Sequence, residues 1–524
     1  MFVAEAHSAV NKVATVPAPI GGLNARDSLA TMPETDAIVM RNLWPQPYGC
    51  SVRKGYALYA DTMPVQGVTT LAVWSDVNGS SKMFAWCDDS MFDITTGGAA
   101  TSMIASLAGS VWQTVSMVNT AGSHLICVNG VDDGIIYNAS GDARLTLGNG
   151  IVANTWAGLD PQDAVQVTVH QGRLWAVQVA SATGWYLPVG AIQGTFVSFD
   201  FGPLFSRGGY LQYLTTWTID DGNGAEDHLV AVSSNGEVVV YGGTDPSDDT
   251  KWALVGVYYA GAPVSGYRGF TKVAGDLVFV TQRGVVSLSA LLASTKVNES
   301  DQVLKSSKIQ FLISELTSSY TALFGWQAIY VPPINMLLIN VPTVVSGGNT
   351  QLAANELMST EPWTQFSGMD AASWCLYDNK LYFGDYTGKV YQAWIGNQDN
   401  GVDITFEVQQ AYSYLKAPAV QKQVGMYRPN FMLTGTLQYG ATINYDFQSN
   451  VLPVTNSPVP PATGDLWNTA LWNVGYWSGA LSTSRLWNSA QGIGVAASLS
   501  MTAQTSSEII WVSTDYSYKV GTLL

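Results

Sequence analysis

Acidic loops, a few histidines and a run of evenly spaced indoles are the residues of this chain that could do chemistry. The stretch IDDGNGAED gathers Asp220, Asp221, Asn223, Glu226 and Asp227, and GGTDPSDDTKW gathers Asp245, Asp248 and Asp249. Oxygen ligands packed into a glycine-bearing loop can hold Ca²⁺. Neither spacing follows an EF-hand, so solvated turn residues are the competing reading. Of the histidines His7, His124, His170 and His228, two begin equivalent hairpins and a third lies near the start of another. A shared place in a repeat points to packing at strand edges rather than to zinc, and no HExxH or CxxC spacing supplies a ligand set. No GxSxG or GxxxxGK[ST] is present, so hydrolase and P-loop chemistry lack their residues. SDDTKW comes nearest to a sialidase-type box, with its Trp too early. The two facing carboxylates of a glycosidase cannot be read from a sequence. The chain therefore reads as non-enzymatic, with no catalytic residue, cofactor or metal ligand assigned.

The indoles are Trp467, Trp472 and Trp477, with Trp487 two steps further on the same beat of five. That period matches neither a helix nor a strand. Trp467-Asn468, Trp472-Asn473 and Trp487-Asn488 are repeated pairs, and Ser478 follows Trp477. Asn and Ser side chains close turns on their own backbone. Successive short turns would return each indole to one packing surface, where an aromatic contributes much apolar area. Stacking on bases is disfavoured, since Arg485 is the nearby cation. The stretch reads as a structural clasp near a subunit or partner interface, with stacking on sugar as the second reading.

Which elements could position these groups? Charged residues make up 12% of the chain, well under the usual ~25%, and 47% are hydrophobic. So little charge suggests that part of the surface is covered by partners. The net charge of −16 argues against gripping nucleic acid, which needs cations to displace counterions. It suits a wall past which DNA slides. Cys50, Cys87, Cys127 and Cys375 are far apart, which fits buried thiols and synthesis in a reducing cytoplasm. No apolar run approaches the ~18 residues of a spanning helix.

The pattern is all-β. A short apolar strand, a tight turn and a second strand recur in KMFAWCDDSMFDIT, HLICVNGVDDGIIYN, RLWAVQVASATGWYL, HLVAVSSNGEVVVY, LVFVTQRGVVSLS and KLYFGDYTGKVYQAW. Their turn glycines are Gly134, Gly184, Gly236, Gly284 and Gly388, spaced by about fifty residues or twice that. The longer MLLINVPTVVSGGNTQLAANEL fills the gap. Asp133-Gly134 and Asn235-Gly236 suit type I′ hairpins. A further strand precedes most copies: VTTLAVW, WQTVSMV, AVQVTV, LQYLTTWTI and WQAIYV. A fourth, less regular strand would complete a four-stranded unit, the mark of a β-propeller, here of six or seven blades. An ordinary antiparallel sandwich is the competing fold. One helix is inserted, with Ile309, Leu312, Ile313, Leu316, Tyr320 and Leu323 on one face and Ser306 or Ser307 as N-cap. Residues 1–60 form an irregular N-terminal segment in which Pro33 opens a short helix. Residues 61–399 form the propeller, and 400–524 a β-sandwich-like platform domain on which the N-terminal segment packs.

The run PIGGLNARDSLATMPETDAIVMRNLWPQPYGCSVRKGY, residues 19–56, resembles the opening of tail nozzle or tail-hub proteins of short-tailed bacteriophages, a family related to phage stabilisation proteins. The matching residues are Gly21, Gly22, Leu23, Asn24, Asp27, Ser28, Met32, Pro33, Asp36, Ala37, Asn42, Pro45, Arg53, Gly55 and Tyr56. SSKI with GWQAIYVPPINMLLINVP, LYFGDYTGKVY and the C-terminal run from LWNTALWNVGYWSG to WVSTDYSYKVGTLL are also similar, in order along nearly the whole chain. Asn468 and Asn473 depart from the Asp that members often show after the indoles. The resemblance implies a virion structural protein of the tail, assembled in the host cytoplasm. It implies a homohexameric ring below the portal and its adaptor ring, a DNA channel that helps retain and eject the genome, and fibres or spikes outside. Arg26, Asp27, Arg41 and Arg53, with Trp467, Trp472, Trp477 and Trp487, are the interface candidates. The alternative is a carbohydrate-binding propeller that contacts the host surface, or a glycosidase-type propeller.

Overall fold

The computed structural model describes residues 11–220, 225–293, 304–343, 348–418, 420–435, 437–448 and 482–521. The chain divides into two compact units, one of residues 1–57, 351–368 and 394–524, the other of 58–350 and 369–393. These bounds differ from the three consecutive segments read in the sequence: residues 351–368 leave the propeller and join the terminal segments.

The second unit is a ring of seven successive antiparallel blades. The first four are Val68–Ser75 to Thr101–Ile104, Gln113–Asn119 to Gly141–Leu147, Ala164–His170 to Val197–Asp200, and Leu211–Asp220 to Trp252–Tyr259. The fifth has three strands, Phe270–Val273, Asp276–Thr281 and Gly284–Ser287. The sixth contributes the hairpin Gln327–Val331 and Met336–Val341. The seventh is Ser373–Tyr377, Lys380–Gly384 and Val390–Ala393, completed at its outer edge by Tyr56–Asp61 from far earlier in the chain. Its inner strand packs beside that of the first blade, which closes the ring.

The apolar hairpins follow from burial on both faces. Ile126 and Val128 pack with Leu174 and Ala176 of the third blade, while Leu125 and Cys127 pack with Phe84 and Trp86 of the first. Val230 and Val232 likewise face the fifth blade, and Leu229 and Ala231 the third. Alternate side chains thus enter two different inter-blade cores, so the strand reads as a continuous apolar run rather than as alternation.

The first unit is a sandwich. One sheet runs Leu43–Gln46, Gly49–Val52, Ile509–Val520 and Lys422–Leu433, with Lys12–Pro17 also paired to Ile509–Val520. The other runs Asp36–Arg41, Val402–Gln410, Ala497–Thr505 and Tyr439–Tyr445. Tyr427 donates its hydroxyl across to Ala441 O at 3.3 Å, and the Phe431 and Tyr439 rings meet at 5.5 Å. The stretch after Pro33, expected to be helical, is the strand Asp36–Arg41. Its β-branched Ile38 and Val39 and its pairing with Val402–Gln410 outweigh the helix-start signal of the proline.

Local expectations are corrected elsewhere. Gly236 has φ +89° but Asn235 is not left-handed, and Gly236 N–H returns to Ser233 O at 3.0 Å. This turn is not type I′. Gly134 has no positive φ; a Cβ there would lie 3.1 Å from Leu145 Cβ, so close approach rather than turn geometry explains the glycine. The inserted helix is a 3₁₀ turn, Ser307–Ile309, leading into Gln310–Tyr320, and buries Ile309, Ile313 and Thr317. No serine caps it, because the Ser306 hydroxyl accepts from Val285 N instead. A second, six-residue helix, Leu288–Ala293, follows the fifth blade. Among the described residues no helix is long and apolar enough to cross a membrane.

Candidate functional site

The conspicuous polar cluster of the first unit grows from the N-terminal run. Gly22 takes φ +79°, where a Cβ would lie 2.6 Å from Trp363 O. The turn that follows is organised by buried Asn24. Its amide donates to Asp27 Oδ2 and Asp36 Oδ2, and its oxygen accepts from the backbone of Arg26 and Asp27. Asn42, itself left-handed at φ 55°, donates to Ser367 Oγ and Thr405 O and accepts from Ser367 N and Arg53 Nε.

Arg53 is the hub. Its five N–H donors all find acceptors: Nε on Asn42 Oδ1, Nη1 on Lys54 O and Asp399 Oδ1, Nη2 on Ser367 O and Asp399 Oδ2. The two carboxylate bonds measure 2.7 and 2.6 Å, a bidentate fork. The side chain is fully buried, so it has nothing left to offer another subunit. Three distant stretches, 42–54, 367 and 399, are joined by this one guanidinium.

The other candidates are placed differently. Arg26 pairs with its neighbour Asp27 at 2.9 Å, and both are partly exposed. Arg41 reaches Glu407 at 3.0 Å on the surface. Arg41 and Glu407 border a cleft of about 410 Å³, whose floor includes Asn42, Ser367 and Asp399. Trp487 is 36% exposed, and its ring lies 4.6 Å from the Arg428 guanidinium. Arg428 in turn holds Asp515 at 2.7 Å. Burial works to raise the Asp515 carboxyl, but hydrogen bonds from Thr15, Arg428 and Asn430 outweigh it and hold the group below the usual carboxylate range. Trp467, Trp472 and Trp477 lie outside the described residues.

The acidic loops fold back on themselves. Asp245 Oδ1 accepts from Ser247 and meets Arg173 at 3.0 Å; Asp248 accepts from Thr250 and meets Lys251 at 2.8 Å. The side chains of Asp220, Asp221 and Asn223 lie outside the described residues.

His124 and His170 are buried in the second unit. Loss of water pushes the His170 imidazole down to about 4 from its usual 6.5. A depressed basic group stays neutral in the fold while the unfolded chain takes up a proton. Stability is therefore fully present above pH ~6.5 and is lost as pH falls toward 4, by about 3 kcal/mol at most. Urea midpoints measured from pH 7.5 down to 4.5 should fall more steeply for the native chain than for His170→Phe. Parallel curves would mean that other groups set the acid limit.

Sequence reading missed a polar girdle around the axis of the second unit. The inner strands carry Thr70, Gln113, Gln166, Gln212, Gln327 and Ser373 near the same end. Gln166 donates to Leu214 O and accepts from Leu214 N in the next blade; Gln327 does the same with Trp374. Gln212 reaches Val264 O and Gly266 O, and Ser373 reaches Val68 O. These side chains extend backbone pairing from blade to blade. Arg268, leading into the fifth blade, crosses the axis to Thr69 O, Thr70 Oγ1 and Trp112 O, at 2.7 to 2.8 Å. The signal was present as WQ, VQ, LQ and WQ at the inner strands of the second, third, fourth and sixth blades.

No family model and no curated protein matches the chain. Among solved structures it is similar to BBS1N, solved in complex with ARL6DN and soaked with mercury. That similarity has a TM-score of 0.38 and 12% identity, over 65% of this chain and 97% of that one. It is also similar to YCF48 bound to D1 peptide, with a TM-score of 0.37 and 10% identity, again over 65% and 97%. Both fits are loose, and the seven-bladed architecture is read from the strand order itself.

Proposed function

We propose that this chain is a structural protein of a short-tailed phage tail, a nozzle or hub subunit that acts as a homo-oligomeric ring. The observation that carries the reading is the N-terminal run that resembles that family. Gly22, Asn24, Asp36, Asn42, Arg53 and Gly55 are the residues on which the first unit is assembled, so the matched positions are those that fix its geometry. Low charge and a net charge of −16 agree with buried subunit faces and a lumen that does not hold DNA. In this reading genomic DNA passes along the axis of the ring of subunits, below the portal and its adaptor ring, with fibres or spikes outside. It does not pass through the propeller, whose own axis is crossed by Arg268.

The sugar-binding alternative needs exposed aromatic platforms. Trp86, Trp112, Trp156, Trp175, Trp363 and Trp511 are instead among the largest fully buried side chains. Mass photometry of the purified chain, alone and with its adaptor ring, tests the assembly. Six copies of the 56.1 kDa chain should give a species of about 337 kDa. A chain that stays at monomer mass in both conditions would sink the proposal.

A further inference from the structure

Beside the girdle, a pocket of about 160 Å³ opens at the end of the propeller axis. Its walls are mostly apolar, with Val111, Leu323, Phe324 and Trp326 among them, and Arg268 and Gln113 supply polar groups. Cavities near this size accept a single six-membered ring, as an engineered cavity of about 150 Å³ accepts benzene. Phe324 is 41% exposed, so its ring is available at the mouth.

Arg268 is the unusual member. It is half-buried and lines the pocket. Its three hydrogen bonds all go to neutral oxygens, two carbonyls and a hydroxyl, and among the described residues it has no carboxylate partner. A guanidinium has five donors, so two remain beyond those three bonds. Loss of water lowers its pKa to about 10, the mark of a cation without a compensating anion. Arg53 is the internal contrast, with every donor used and a carboxylate in its fork. The half-buried Gln113 amide is also unengaged among the described residues and lines the same pocket.

We propose that this pocket binds a carboxylate carried on a six-membered ring. The ring lies against Phe324 and Leu323, and the carboxylate meets the spare donors of Arg268 and the Gln113 amide. The chemistry fits an aromatic acid or a terminal sugar acid, and the site stands independently of the tail reading. Its test is calorimetric titration of the full chain with benzoate, benzamide and glucuronate. Benzoate should bind with a Kd of about 1 mM or tighter, and benzamide, of the same shape without charge, at least tenfold more weakly. Equal binding of glucuronate would identify a sugar acid as the source; benzoate alone would identify an aromatic acid.

Arg268→Gln should weaken benzoate at least tenfold, but it also cuts the ties between blades. Ala322→Trp therefore serves as the second variant: it fills the mouth from an exposed position, leaves Arg268 intact and should abolish binding with an unchanged circular dichroism spectrum. No benzoate binding up to about 20 mM, well above the expected Kd, overturns the proposal. So does equal affinity for benzamide, or undiminished binding by Ala322→Trp.

Discussion

Replacing Arg53 by methionine should destabilise the first unit by about 3–5 kcal/mol, the usual loss when one partner of a buried ion pair is removed. The methionine fills much of the volume but leaves Asp399, Ser367 O and Lys54 O without the donors that Arg53 supplied, and Asn42 Oδ1 with Ser367 N alone. Each buried acceptor left bare adds to the loss. The comparison is Arg41→Met, which removes an exposed pair with Glu407 and should change stability by under about 1 kcal/mol. Urea denaturation of both variants, with Asp399→Asn and the double variant Arg53→Met/Asp399→Asn, gives the coupling directly. If Arg53→Met behaves like Arg41→Met, the hub role assigned to this guanidinium is wrong.

The second large effect belongs to the strand that completes the seventh blade. Ala60 is 1% exposed and packs with Met63, Tyr382 and Val390, beside the Tyr59 ring 4.7 Å from Tyr382. Ala60→Glu inserts both volume and an unpaired charge there and should cost about 4 kcal/mol or more. Leu58, two residues earlier on the same strand, is 44% exposed. Leu58→Glu should stay within about 0.5 kcal/mol. Thermal melts of the pair therefore separate the buried face from loss of strand propensity, since both receive the same residue. Equal melting points would show that this strand contributes little to closing the ring.

The blades were legible because their hairpins are apolar on both faces and recur at a near-constant interval. What stayed hidden was long-range or polar. Arg53 and Asp399 are separated by 346 residues, and nothing local marks them as partners. The glutamines of the inner strands read as ordinary polar residues, because their acceptors are backbone atoms of the next blade, which carry no sequence identity. Ser306 has the chemistry of a helix cap, but a strand N–H claims its hydroxyl first. The excursion of residues 351–368 into the first unit was hidden for a related reason. Its strands, Thr350–Asn355 and Trp363–Phe366, pair and turn like those of a blade, and what sets them apart is the further pairing of Trp363–Phe366 with Asp36–Arg41.

The outer strand of the seventh blade also sets a clock on synthesis. Tyr56–Asp61 leaves the ribosome early, but its partner Val390–Ala393 follows about 330 residues later. At translation rates of roughly 5–20 residues per second, that interval is on the order of 15 to 65 seconds. Through it the nascent strand has only the two-residue strand Gly98–Ala99 to pair with, against Ala60 and Asp61, and six blades emerge before the ring can close. Pairings this distant in sequence form slowly even in the finished chain. The step that commits the propeller to its fold is therefore post-synthetic for most of its length, and the early strand, whose long edge still waits for Val390–Ala393, is the piece a holding chaperone would need to shield.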